Sequence, residues 1–67
     1  MSDASTIRRA AAAMRFDAAE DHDLFLDAIS VWLEEVADNE PSWEYGRATQ
    51  EAELATLIAK RYLEQQT

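Results

Sequence analysis

Carboxylates are the most abundant chemically active side chains of this 67-residue chain, and most of them occur in one stretch. Between Phe16 and Gly46 there are ten acids and no lysine or arginine. The acids are Asp17, Glu20, Asp21, Asp23, Asp27, Glu34, Glu35, Asp38, Glu40 and Glu44. With a net charge of −8, such a surface repels nucleic acid and anionic membranes. It favours a cationic partner or simply keeps the protein soluble.

His22 lies inside this acidic stretch, and Asp23 and Asp27 have the spacing of neighbours on one helix face. A zinc site needs a fuller set of His, Cys and carboxylate ligands, and the chain has one histidine and no cysteine. A calcium loop requires alternating ligands around a glycine, a pattern that this stretch lacks. We therefore expect an acidic helix junction with a solvated histidine, and no metal or other cofactor.

The sequence offers little for catalysis. A nucleophile at Ser30 or Ser42 would have only His22 as its base, and one glycine cannot build a phosphate-binding loop. Paired carboxylates catalyse only in a pocket that separates their pKa values, and three short helices rarely enclose such a pocket. We expect no enzymatic activity.

The six basic residues all lie outside the acidic stretch, and three of them precede it. They are Arg8, Arg9, Arg15, Arg47, Lys60 and Arg61. The first three could suggest contact with nucleic acid. Given the net charge, we interpret them as charge partners of the acidic segment and do not expect direct nucleic-acid binding.

Helices must position these residues, because alanine occurs thirteen times and glycine and proline once each. The first helix is predicted over about 6–21, with Ser5 as its N-cap. Its apolar face consists of Ile7, Ala10, Ala11, Met14 and Ala18. Phe16 lies on the opposite side, where it covers another segment or belongs to a surface that a partner buries.

The second helix is predicted over about 22–38 and is apolar around roughly 220° of its circumference, wider than one ordinary stripe. The apolar residues are Leu24, Phe25, Leu26, Ala28, Ile29, Trp32, Leu33, Val36 and Ala37. The narrow polar remainder contains Asp27, Ser30, Glu34 and Asp38. Such a helix needs partners on two sides, so we expect it to be central and to contact a second subunit.

Asn39 and Pro41 predict the end of the second helix. Pro41 could also open a helical turn that carries Trp43 back against the core. A third helix is predicted over about 47–65, with a stripe of Ala48, Ala52, Ala55 and Ala59 that allows close packing. Leu54 and Leu57 lie off this stripe, so this helix also has apolar surface to spare.

The sequence thus predicts one all-α domain over 1–67, an antiparallel three-helix unit assembled as a homodimer or higher oligomer. Association is the remaining route to stability for so short a chain without cysteine. The predicted oligomer or partner interface is Phe25, Ile29, Trp32, Leu33, Val36, Trp43 and Tyr45. The alternative is that the aromatic residues form the core. An acidic ridge is predicted from Asp23, Asp27, Glu34, Glu35 and Asp38.

Three blocks carry a family resemblance: 7–15 (IRRAAAAMR), 28–37 (AISVWLEEVA) and 55–63 (ATLIAKRYL). Their order resembles a group of small uncharacterised all-α proteins of actinobacteria and their bacteriophages. That group reads L-R-x-A-A-x-x-M-R, V-A-x-W-L-x-x-V-A and A-L-A-V-A-R-x-Y-L. Many members carry T-P-G-P-W after the first helix, where this chain has Phe16-Asp17-Ala18-Ala19-Glu20-Asp21. The resemblance implies a phage or prophage source and no mechanism.

Three functions are compatible with these observations. The first is a protein–protein interaction module that binds and modulates a host or phage protein. The second is a DNA mimic, in which the acidic ridge occupies a nucleic-acid-binding site. The third is a structural part of a virion or larger assembly. The sequence shows no membrane span and no secretion signal, so we expect the cytoplasm of the host cell.

Overall fold

A computed structural model describes residues 3–43 and 47–65, and all regular secondary structure within these ranges is helical. The elements are α1 (Asp3–Asp21), α2 (Leu24–Asp38), a 3₁₀ turn (Glu40–Ser42) and α3 (Arg47–Gln65). The three α-helices pack together around one apolar core. The all-helical fold class and the three packed helices are confirmed.

The apolar face of α1 is buried as the periodicity predicts. Ile7, Ala10, Ala11, Met14 and Ala18 are all buried, and Ala4 extends the same stripe by one turn. The start of the helix differs from the prediction, because Asp3 is already helical. Ser5 therefore lies within α1 and is not its N-cap.

The central helix is α1, not α2 as the sequence suggested. α1 packs extensively against both other helices, whereas α2 and α3 make few contacts with each other. The physical reason is the short side chains on the buried face of α1. Alanine at positions 10, 11 and 18 lets two neighbouring helices approach this one closely.

The junction between α1 and α2 is a tight turn with a left-handed residue. His22 has φ 54°, and the Asp23 N–H donates to the Ala18 carbonyl at 3.0 Å. This six-to-one hydrogen bond with a left-handed residue before its donor is a Schellman motif. Asp23 then caps α2, because its carboxylate accepts the Leu26 N–H at 3.1 Å. The helix thus begins two residues later than predicted.

The end of α2 leads into a turn that returns an aromatic side chain to the core. The Asn39 side-chain amide donates to the Glu35 carbonyl at 2.9 Å, and α2 ends at Asp38 as Asn39 and Pro41 predict. Pro41 stands in the first turn of the 3₁₀ segment. Trp43 packs against the core, and its indole N–H donates to the Val36 carbonyl at 2.8 Å. The predicted return of Trp43 is confirmed.

The core is made chiefly of small side chains. Of the twelve buried hydrophobic residues in the described ranges, eight are alanines, and only Ile7, Met14, Leu33 and Val36 are larger. Ser30 is also fully buried, and its hydroxyl donates to the Asp27 carbonyl at 2.6 Å. Placing Ser30 on the polar side of α2 was therefore wrong. Seven larger apolar side chains are partly buried against this core, and six others in the described ranges are exposed.

Candidate interaction surface

The large apolar side chains missing from the core lie on the surface of the single chain. Leu24 is 84% exposed and Phe25 is 77% exposed, both at the start of α2. Val31, Leu54 and Leu57 are exposed as well. Isolated exposed apolar residues are normal for a soluble protein. Here they occur together with a core of alanines: in the described ranges six large apolar residues are exposed, four are buried and seven are partly buried against the core.

The rotation of α2 explains this exposure. Leu33, Ala37 and Ser30 are fully buried, and their three- and four-residue spacing fixes the side of α2 that faces the core. Leu24, Ala28 and Val31 fall on the opposite side, with Phe25 and Trp32 between the two sides. Trp32 is half-buried and packs against the core. The wide apolar arc predicted from the sequence is thus covered on one side only.

An apolar groove lies between α2 and α3. It measures about 460 Å³, and its apolar lining is Met14, Leu26, Ile29, Leu57, Ile58 and Tyr62. The groove exists because α2 and α3 both pack on α1 and make few contacts with each other. Phe25 precedes Ile29 by one helical turn and so lies beside the groove on the same side of α2. We call this the α2–α3 groove.

Charged side chains are concentrated at the other edge of α2, where it meets α1. The Arg8 guanidinium lies 3.3 Å from the Asp38 carboxylate, and the Arg15 guanidinium lies 2.9 Å from the Glu34 carboxylate. Arg8 also donates to the Ala37 carbonyl at 3.4 Å. Arg8 and Arg15 therefore act as charge partners of the acidic segment, as predicted, whereas Arg9 lies beside Lys60 of α3. Within residues 3–43 and 47–65, the one charged residue that lines the α2–α3 groove is Arg61.

The predicted acidic ridge is divided among several roles. Asp23 caps α2, while Glu34 and Asp38 are paired with arginines of α1. Asp27 lines a cleft of about 410 Å³ together with Arg15 and His22, and Glu35 is exposed. These residues do not form one row of unpaired carboxylates.

The predicted interface set also needs correction. Leu33 and Val36 are buried within the chain itself, so neither offers surface to a partner. Trp43 is half-buried and its indole N–H is bonded within the chain, which makes it an anchor of the turn. Tyr45 lies outside the described residues, as does the side chain of Ala48. Ile29 lines the groove and Phe25 lies beside it, while Trp32 packs against the core.

Other kinds of site find little support in the described part of the chain. No group of three or more His, Asp or Glu side chains there could hold a metal ion. The hydroxyl of Ser30 is buried and already bonded. Of the helices described, none combines the length and hydrophobicity of a membrane span.

Several residues of the groove were absent from the predicted interface, namely Leu26, Leu57, Ile58 and Tyr62. The signal in the sequence that could have indicated them was the position of Leu57 off the alanine stripe of α3.

Among known proteins, no family model, curated protein or solved structure matches this chain. The geometry of the chain itself therefore carries the functional argument.

Proposed function

We propose that this chain is a small acidic protein–protein interaction module that acts as a homo-oligomer. As part of the same proposal, it is a phage or prophage product that binds and modulates a host or phage protein in the cytoplasm. The observation that carries the proposal is the exposure of large apolar residues beside a core made mostly of alanine. The core is mostly alanine, while Phe25 and Leu24 are largely exposed beside an open apolar groove.

The physical basis is the cost of leaving such residues in water. Burial of apolar surface contributes roughly 25 cal/mol per Å², and aromatic residues dominate the energetics of many interfaces. A surface that combines an exposed phenylalanine with a groove lined by aliphatic side chains suits a protein partner.

We also propose that α1 and α2 run antiparallel, and the order of their ion pairs supports this. Arg8 pairs with Asp38 and the later Arg15 with the earlier Glu34.

The DNA-mimic reading receives less support. Mimicry needs a row of free negative charges spaced like phosphates, and two of the ridge carboxylates are neutralised by arginines of α1. We propose binding without catalysis.

The test is affinity purification from an actinobacterial host, with identification of the co-purifying proteins by mass spectrometry. Three baits are compared: the unchanged chain, Phe25→Ser, and the triple variant Asp27→Asn, Glu34→Gln, Asp38→Asn. We expect a specific partner that the triple variant keeps and Phe25→Ser loses. Retention by Phe25→Ser with loss by the triple variant would support mimicry instead. Absence of any specific partner would refute the host- or phage-binding role.

A further inference from the structure

We propose that the α2–α3 groove binds a second copy of this chain, with Phe25 of each copy seated in the groove of the other. This inference rests on the proposed function, because it names one partner of the same apolar surface. In a twofold arrangement the contact occurs twice, since residue i of one copy meets residue j of its partner and the reverse. The chain carries both the projecting side chain and the groove that would receive it.

The exposed area fits this arrangement. The chain exposes 4732 Å², whereas a folded monomer of 7.6 kDa is expected to expose roughly 4300 Å². Phe25, Leu54 and Leu57, the exposed apolar residues on the groove side of α2 and α3, together expose on the order of 270 Å², taking about 150 Å² for a fully exposed large side chain. A standard interface buries roughly 800 Å² on each partner. These side chains supply about a third of that area, and the lining of the α2–α3 groove adds to it.

The shape of the molecule points the same way. The Cα atoms span 36 × 23 × 14 Å, which describes a flattened body. Because α2 and α3 lie on α1 and scarcely touch, Met14 of the central helix lines the groove between them. A second copy packed over the groove would bury the groove-facing sides of α2 and α3, as a fourth helix does in a closed bundle.

The distribution of charge removes the obvious objection to self-association. Two copies each carrying −8 repel at long range. The ridge acids Glu34 and Asp38, however, are paired with α1 at the other edge of α2. Among the described residues, the charged one that lines the groove is Arg61, a cation. A cationic helix would be repelled by it, whereas a second copy of an acidic chain would not.

The test uses charge complementation between two variants. Phe25→Glu and Leu57→Lys are each expected to weaken self-association by at least about thirtyfold per contact, the effect of losing an interface anchor. Mixed together, they form a heterodimer in which one contact is Glu against Lys and the other is the native Phe against Leu. Sedimentation equilibrium at micromolar concentration should therefore show a dimer for the unchanged chain, monomers for each variant alone, and a dimer for the mixture.

Phe16→Glu is the matched control, because Phe16 is 65% exposed on α1, on the side away from its buried stripe. It should leave the dimer mass unchanged. A monomeric unchanged chain, a dimeric Phe25→Glu, a monomeric Phe16→Glu or a mixture that stays monomeric would each overturn the inference. Should Phe25→Glu lose its helical circular dichroism alone, mixing with Leu57→Lys must restore it, and failure to do so overturns the inference as well.

The two proposals fail separately. A monomeric chain that still captures a specific host protein would overturn the second-copy inference and the homo-oligomer part of the proposed function, and would leave the binding of a host or phage protein standing. A dimer that captures no protein would leave the second-copy inference standing and refute the binding of a host or phage protein.

Discussion

Replacement of Trp43 tests whether the 3₁₀ turn holds the end of α2 to the core. The indole N–H donates to the Val36 carbonyl at 2.8 Å, the ring packs against the core, and the Thr49 hydroxyl donates to the Trp43 carbonyl. Trp43→Phe removes the indole hydrogen bond while keeping a ring. Trp43→Ala removes the hydrogen bond and the packing together.

The expected magnitudes follow from these contacts. A net hydrogen bond contributes about 1 kcal/mol, and the Val36 carbonyl keeps a second donor, the Asn39 N–H at 3.2 Å. Trp43→Phe should therefore lower the free energy of unfolding by about 0.5–1 kcal/mol. Truncation of a fully buried Trp costs about 3–5 kcal/mol. Because Trp43 is only half-buried, we expect about 2 kcal/mol for Trp43→Ala.

Such losses are large for this chain, whose total stability should lie near 3–10 kcal/mol on the usual per-residue scale. The assay is urea denaturation followed by far-ultraviolet circular dichroism, at one fixed protein concentration because association would change the midpoint. Phe16→Ala serves as the control and should change the free energy of unfolding by less than about 0.5 kcal/mol. A loss below about 0.3 kcal/mol in Trp43→Phe, with less than 1 kcal/mol in Trp43→Ala, would refute the anchoring role.

Three further predictions use the same assay. His22→Gly should raise the free energy of unfolding by about 0.5–1 kcal/mol and His22→Val should lower it by about 1 kcal/mol. The reason is the left-handed backbone at φ 54°, which suits glycine and strains a β-branched residue. Equal effects of the two substitutions would contradict this. Asp23→Ala should lower it by about 1 kcal/mol through loss of the α2 cap, and Asp23→Asn should retain most of that stability. A double-mutant cycle for Arg15 and Glu34, whose side chains are 52% and 39% exposed, should give a coupling below about 1 kcal/mol; a coupling above 2 kcal/mol would show that solvent screening is weaker than the exposure implies.

Much of the fold could be predicted because helical periodicity is a strong local signal. The buried face of α1 follows from the spacing of Ile7, Ala10, Ala11, Met14 and Ala18. The third predicted helix coincides with α3, and Pro41 indicated the turn that returns Trp43. Each of these features depends on residues close together in sequence, so no knowledge of tertiary packing was needed.

Features decided by tertiary packing could not be predicted in the same way. Ser30 is polar, yet a helical serine can satisfy its hydroxyl on a carbonyl of the preceding turn and then pack as a small residue. The wide apolar arc of α2 left its rotation undetermined, so Leu33 and Val36 were assigned to an interface when they belong to the core. The left-handed backbone of His22 could not be predicted from its residue type, because glycine is the usual residue at that position of a Schellman motif.

The composition of the core connects these observations to function. Alanine at the α1 contacts allows close approach of α2 and α3, but each buried alanine removes little apolar surface from water. Close packing through small residues therefore leaves the molecule with limited core stabilisation and with large side chains, such as Phe25 and Leu57, on its surface. In a monomeric protein, replacing such a surface residue by a charged one would change the free energy of unfolding very little. In a chain whose burial is completed by a partner, the same change removes an anchor, so the response of oligomeric mass to Phe25→Glu, compared with Phe16→Glu, distinguishes the two cases.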